Sequence, residues 1–214
     1  MPEPEALPAE HAANQAGTAA VTGYKIIVPD GWYSVELEAG RLERAVTRLV
    51  DRQFAGIDNA PHLKAQARQE LVARGEAARK SGGVEMFLSL MRVGGLPLAA
   101  SLTTYLVPAG ASGVSPDDLA RAIAREGDEI TVVDLPAGRA VRIVRDSAPP
   151  EEWADPAADE LNQVMVSREV QIFVPVPGGA WSWLLLAFAA PFGPLASAMS
   201  KLFDAISQTL RWSQ

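Results

Sequence analysis

The chain has 214 residues, 48% hydrophobic and 21% charged, with a net charge of −7 and no cysteine. This length allows one sizeable core or two small domains, and the composition is too apolar for a disordered chain. The acidic balance argues against nucleic acid as the main partner, which needs clustered Lys and Arg. Without cysteine there are no disulfides, thiolate nucleophiles or thiolate metal sites.

Residues 1–20 are mostly Ala, Pro, Glu and Gln and read as a flexible tail, leaving 21–214 as a single domain. They also lack the basic start and apolar run of a secretory signal, so a cytoplasmic location is the expectation. From Tyr24, two short β-rich runs flank Pro29, Asp30 and Gly31, which is turn chemistry, so a first hairpin is predicted. Tyr24, Ile26 and Val28 share one side of the first run.

Leu42, Ala45, Val46, Leu49, Val50 and Phe54 recur at helical spacing and predict a helix from about Gly40, interrupted between Gly56 and Pro61. A second helix, from about His62 to Lys80, turns Leu63, Ala67, Leu71 and Ala78 towards a neighbour. Its mixed charges (Lys64, Arg68, Arg74, Arg79, Glu70, Glu76) read as a solvated face. A strand follows, with Val84, Met86, Leu88 and Leu90 on one side. Gly94 and Gly95 turn it into a longer returning strand that ends near Pro108. Ser115 is an N-cap, with Pro116 at the first helical position and Asp117 and Asp118 in the first turn of a short helix.

The runs ITVVDL and RAVRIVR, joined at Pro136-Ala137-Gly138, predict a hairpin. Alternation puts Arg139 and Arg145 on one face of its second strand and Arg142 on the other. Two readings of these arginines stand: charge protecting a sheet edge or rim, or contact with an anionic partner. Residues 146–162 are acidic and Pro-rich and predict a loop or a loose helical turn. In it Trp153 either tucks onto the core edge or marks a contact surface.

From Val170 to Ser200 no side chain is ionisable. About twenty apolar residues suffice to span a bilayer, but Pro175, Pro177, Gly178, Gly179, Pro191 and Pro194 break this run. It reads instead as a strand carrying Val170, Ile172 and Val174 (continuing an alternation from Val164 and Val166), a turn, and a returning strand with Trp181, Trp183 and Leu185. A helix then opens at Pro194 with Leu195, Met199, Leu202, Phe203, Ile206 and Leu210 on its apolar side. Trp181 and Trp183 are either core packing or interface anchors.

No catalytic constellation emerges. His11 and His62 are the two histidines, neither with a partner at metal-ligand spacing. There is no nucleophile elbow, phosphate loop or dinucleotide fingerprint, and Gly110-Ala111-Ser112-Gly113 reads as a flexible loop. Glu151, Glu152, Asp155 and Asp159 read as a solvated acidic segment. No metal or cofactor is expected, and an enzyme working with carboxylates and arginines alone is the least supported class.

Hairpins alternating with helices predict an α+β fold, an antiparallel β-sheet built from hairpins and flanked by helices in an α/β/α sandwich. The opening Ile26-Ile27-Val28-Pro29-Asp30-Gly31-Trp32 resembles the strand and Pro-x-Gly-Trp start of the PsbP-like fold. The ending is similar too: WSWLLLAFAAP, then a helix stopping near a final aromatic. The two helices over 41–80 and the Pro-rich 146–162 are departures from the pattern. The resemblance implies mainly non-catalytic work, as in a photosystem-II extrinsic subunit, a Ran-binding nuclear-import factor, bacterial lipoproteins, and chaperone or immunity proteins of secretion systems. With no cysteine, the lipoprotein branch is not expected here.

The resulting expectation is a non-enzymatic, cytoplasmic protein-interaction, adaptor or chaperone-like module, accessory to a secretion or injection system. Its partner is another protein, with no nucleic acid and no membrane span; a homo-oligomer is compatible with the sequence. Candidate contacts are Trp153, Arg139, Arg142, Arg145, Trp181 and Trp183. The alternative is a small-molecule or lipid binder with a pocket between the sheet and the C-terminal helix.

Overall fold

Among the described residues, strand-forming runs supply seven antiparallel strands to one sheet. The computed structural model describes residues 21–38, 40–55, 61–93, 96–97, 100–108, 113–147, 167–178, 181–191 and 195–213. The sheet strands are β2 (Trp32–Glu36), β3 (Gly83–Ser89), β6 (Ser101–Pro108), β7 (Glu129–Leu135), β8 (Gly138–Ser147), β9 (Ser167–Pro175) and β10 (Trp181–Pro191), in the order β2-β3-β6-β10-β9-β8-β7 across the sheet. Two small ribbons pair β1 (Gly23–Lys25) with β11 (Arg211–Ser213) and β4 (Arg92–Val93) with β5 (Leu96–Pro97). The helices are α1 (Leu42–Gln53), α2 (Pro61–Lys80), α3 (Pro116–Ile123) and α4 (Ala196–Ser207).

The helices cover both faces, giving the α+β sandwich expected from the sequence. Residues paired across strands share a face, so the layers follow from register. Phe87, Leu102, Phe188, Val170 and Val144 are successive partners facing α4. Phe203 of α4 stacks on Phe188, with ring centroids 4.7 Å apart, and meets Trp32 edge-on at 6.5 Å. Met86 and Leu88 point the other way, into a second cluster with Val35, Leu37 and the α1 stripe of Leu42, Ala45, Val46, Leu49 and Val50. The predicted α1 stripe is thus the buried one. Gly75 lets α2 approach α1 closely, since a Cβ there would lie 2.5 Å from Leu42 Cδ1.

The uncharged run from Val170 to Ser200 becomes most of β9, all of β10 and the start of α4. Val170, Ile172, Val174, Leu184, Leu186 and Phe188 are buried along its two strands. No helix among the described residues is long and apolar enough to cross a membrane. Ser115 caps α3 as predicted, its hydroxyl accepting from Asp118 N at 3.1 Å. That hydroxyl, with Arg121, holds the Asp118 carboxyl below its usual range.

Three expectations change. The first two β-runs do not form a hairpin: β1 pairs with β11, and β2 pairs with β3. The turn at Pro29, with Trp32 N donating to Pro29 O at 3.2 Å and Gly31 at φ +85°, redirects the chain. Tyr24, Ile26 and Val28 keep their shared side and pack on the main core beside Trp212. Second, the closing helix is shorter than its apolar pattern; the chain turns after Ser207 and ends in β11. Third, β3 buries Phe87 and Ser89 as well as Met86 and Leu88, because helical layers cover both of its faces. The Gly94-Gly95 turn, Val164, Val166 and the Pro-rich stretch 148–162 with Trp153 lie outside the described residues.

Candidate functional site

Between α4 and the strands β7 to β9 lies a cleft of about 430 Å³. Thr131, Val133 and Leu135 of β7, Arg142 of β8 and Ile172 of β9 form its floor; Asp204, Ser207 and Gln208 form its wall. The period-two alternation of β7 puts its odd-numbered side chains there. Helix α4 packs over β9 and β10, so the β7 side of this face stays open.

Arg142 ties the floor to the wall. Its Nε donates to Asp204 Oδ1 at 2.7 Å and its Nη2 to Asp204 Oδ2 at 3.2 Å, a bidentate geometry. Glu129 Oε1 stands 3.9 Å from Arg142 Nη1. The guanidinium side chain is only 13% exposed, while Glu129 is 72% and Asp204 44% exposed. Ser207 is buried, and its hydroxyl donates to Phe203 O at 2.8 Å. Gln208 reaches across the mouth, where its Nε2 donates to Asp134 O at 3.3 Å.

The rim strand β7 has a definite hydrogen-bonding parity. Pro136 and Ala137 form a two-residue turn, flanked by the paired Leu135 and Gly138. In such a hairpin the flanking pair exchanges both backbone hydrogen bonds, and pairs alternate from there. Glu129, Thr131, Val133 and Leu135 therefore spend their peptide groups on β8, and Ile130, Val132 and Asp134 direct theirs outward. Gln208 meets one of those outward carbonyls. Among the described residues, β7 has no neighbouring strand on that side.

The three arginines of β8 each meet a carboxylate from a different element. Arg142 turns to α4, as above. On the opposite face Arg139 Nη1 lies 3.2 Å from Asp117 Oδ2 at the start of α3. Arg145 grips Asp128 with Nε and Nη2 at 2.7 and 2.8 Å, and its Nη1 donates to Gln171 Oε1 at 3.0 Å. Asp128 is 5% exposed, and the Arg145 hydrogen bonds hold its carboxyl below the usual range. Arg168 likewise lowers the Asp146 carboxyl through bonds at 2.7 and 2.6 Å. The alternation read from the sequence therefore matches the faces, and the strand carrying these arginines is next to the rim rather than on it.

Trp183 is 2% exposed on the face opposite α4, and its Nε1 has no hydrogen-bond partner among the described residues. Trp181 begins β10 beside Pro108 across an irregular register. His62 lies in the first turn of α2, and among the described residues no group of His, Asp or Glu could hold a metal ion. Sequence reasoning missed Asp204, Gln208 and the β7 floor. The hairpin turn carried the signal for β7, but no residue spacing connects Asp204 with Arg142.

No protein-family model matches the sequence, and no curated protein matches it. Several solved structures are similar to the chain, two of them as follows. One is LpqN, involved in cell envelope biogenesis of Mycobacterium tuberculosis, with 10% identity, coverage of 90% of this chain and 86% of that chain, and a TM-score of 0.43. The other is the PsbP protein CyanoP from Synechocystis, with 11% identity, coverage of 95% of this chain and 99% of that chain, and a TM-score of 0.32. At this level of likeness neither protein's role transfers to the chain.

Proposed function

We propose that the chain is a non-enzymatic protein-interaction module, of adaptor or chaperone-like type, and that its partner engages the corner formed by β7 and the cleft. The supporting observation is an edge strand with outward peptide groups standing directly beside a recess lined by its own side chains. Of the sequence-predicted contacts, Arg139 is exposed on β8 one strand in from this rim, on the face away from the cleft and paired with Asp117. Arg142, Arg145 and Trp183 act inside the fold, two as ties and one as packing. The cytoplasmic setting and service to a secretion or injection system belong to the same proposal. Cell fractionation tests the first, and the identity of the captured partner the second.

A photo-reactive side chain replacing exposed Thr131 should crosslink one stoichiometric partner in native lysate. The same group replacing exposed Glu43 on α1 should not. Equal capture at both sites, or none, would overturn the proposal.

A second reading is favoured by the cleft itself, which lies between the sheet and the C-terminal helix and falls in the size range of small-ligand pockets, roughly 300–1,000 Å³. Its apolar floor and Arg142 suit a small amphipathic molecule or lipid. Native mass spectrometry after gentle purification would support this by an added mass, and the bare polypeptide mass would count against it.

A further inference from the structure

We infer that β7 receives an extended segment of the partner as an antiparallel eighth strand, with apolar residues entering the cleft at alternate positions and a lysine or arginine meeting Glu129. The inference rests on the interaction reading of this corner and specifies its chemistry. Ile130, Val132 and Asp134 offer outward N–H and C=O groups in the spacing an added antiparallel strand requires. The strand offering them spans seven residues without lysine or proline, two of the devices that discourage such pairing, and its charges are the carboxylates of Glu129 and Asp134.

Side-chain recognition follows from register. Residues of the added strand opposite Leu135, Val133 and Thr131 point to the same face as those three and enter the cleft. The next alternate residue stands opposite Glu129. Because the pairing is antiparallel, the segment reads, from its N-terminus, apolar-x-apolar-x-apolar-x-basic. The basic end is set by accessibility. Glu129 and Asp204 expose much of their carboxylates, whereas Arg142, the cation between them, is largely covered and already held. Asp134 points to the other face, opposite Arg139. Gln208 occupies Asp134 O in the unpartnered chain and must release it.

The test is fluorescence anisotropy of the full chain with a labelled synthetic heptapeptide, leucine-threonine-valine-threonine-valine-threonine-lysine. Saturable binding is expected. Val132→Pro removes an outward N–H that the fold does not use and should weaken binding at least ~10-fold, since it also bars the neighbouring strand bond. Should that variant fold poorly, the peptide N-methylated at its β7-facing amides provides the same loss with the protein unaltered. Glu129→Lys should weaken the lysine peptide about threefold and favour a peptide ending in glutamate by a similar factor, as expected for one cross-strand charge pair. Gln208→Ala should tighten binding, about twofold for one competing neutral hydrogen bond.

No saturable binding, binding indifferent to backbone methylation, or equal affinity for the lysine and glutamate peptides on both proteins would overturn the inference. If the Thr131 crosslink is retained in that event, the interaction reading stands and only this docking mode is lost. Loss of the crosslink alone removes the interaction reading.

Discussion

At the β2–β3 end of the sheet, Val35, Leu37, Met86 and Leu88 meet α1 in an apolar cluster that buries five residues of that helix. At the β7–β9 end, α3 buries none of its residues fully; Arg139–Asp117, Arg142–Asp204 and Arg145–Asp128 tie α3, α4 and the turn before β7 to the sheet, and Arg168–Asp146 links β9 to β8. The β2–β3 end is thus fastened to its helix by removing apolar surface from water, while the β7–β9 end adds oriented, largely bidentate ion pairs to the apolar core it shares with α4. The first contribution is non-directional and insensitive to pH. The second is directional, depends on both partners, and leaves the face beside it uncovered. The open cleft lies at the end that carries the ion pairs.

This contrast can be broken from either side. The largest effect is expected in the apolar cluster. Met86→Ala should cost about 2–5 kcal/mol of unfolding free energy, measured by denaturant titration, through lost burial and a residual cavity. Next, Arg145→Met should lower the melting temperature because Asp128 would keep its charge in a nearly buried site. The double variant Arg145→Met with Asp128→Leu should recover much of the loss, since an apolar pair needs no compensation. If the double variant is no better than the single, the pair is not simply compensating buried charge.

Acid should separate the two ends. The folded-state carboxyls of Asp128 and Asp146 lie below their unfolded values, through the hydrogen bonds of Arg145 and Arg168. Their contribution is therefore present above the unfolded value of about 4 and is lost as pH falls through the folded one. Pulsed hydrogen exchange after incubation at low pH should show β7–β9 losing protection before β2–β3; simultaneous loss would contradict the contrast. The smallest effect belongs to Arg139→Ala. Both partners of that ion pair are more than half exposed, so a change of about 0–1 kcal/mol is expected. Within β7, native-state exchange should be faster at Ile130, Val132 and Asp134 than at Thr131 and Val133, a direct check of the outward parity.

Local patterns made much of this legible. The α1 stripe, the Ser115 cap, the Pro136-Ala137 turn and the prolines around β9 and β10 each announce their element, because helical and strand periodicities and turn stereochemistry act over a few residues. The arginine alternation in β8 was also readable. Its carboxylate partners were not: Asp117, Asp128 and Asp204 come from three elements and look, in sequence, like solvated surface. The β1–β11 pairing was hidden for the same reason, as it joins the first described strand to the last.

The sequence by itself determined most element types, the sides on which Val170, Ile172 and Val174 or Arg139 and Arg142 would stand, and the strand-turn-strand-helix reading of the long uncharged run. Burial follows side-chain period, and proline and glycine limit the backbone wherever they occur. Only the tertiary structure decided the strand order, the sorting of helices onto two faces, and the pairing of each arginine with its carboxylate. It alone set β7 beside a cleft, because those outcomes depend on which distant segments meet, and no local period carries that information.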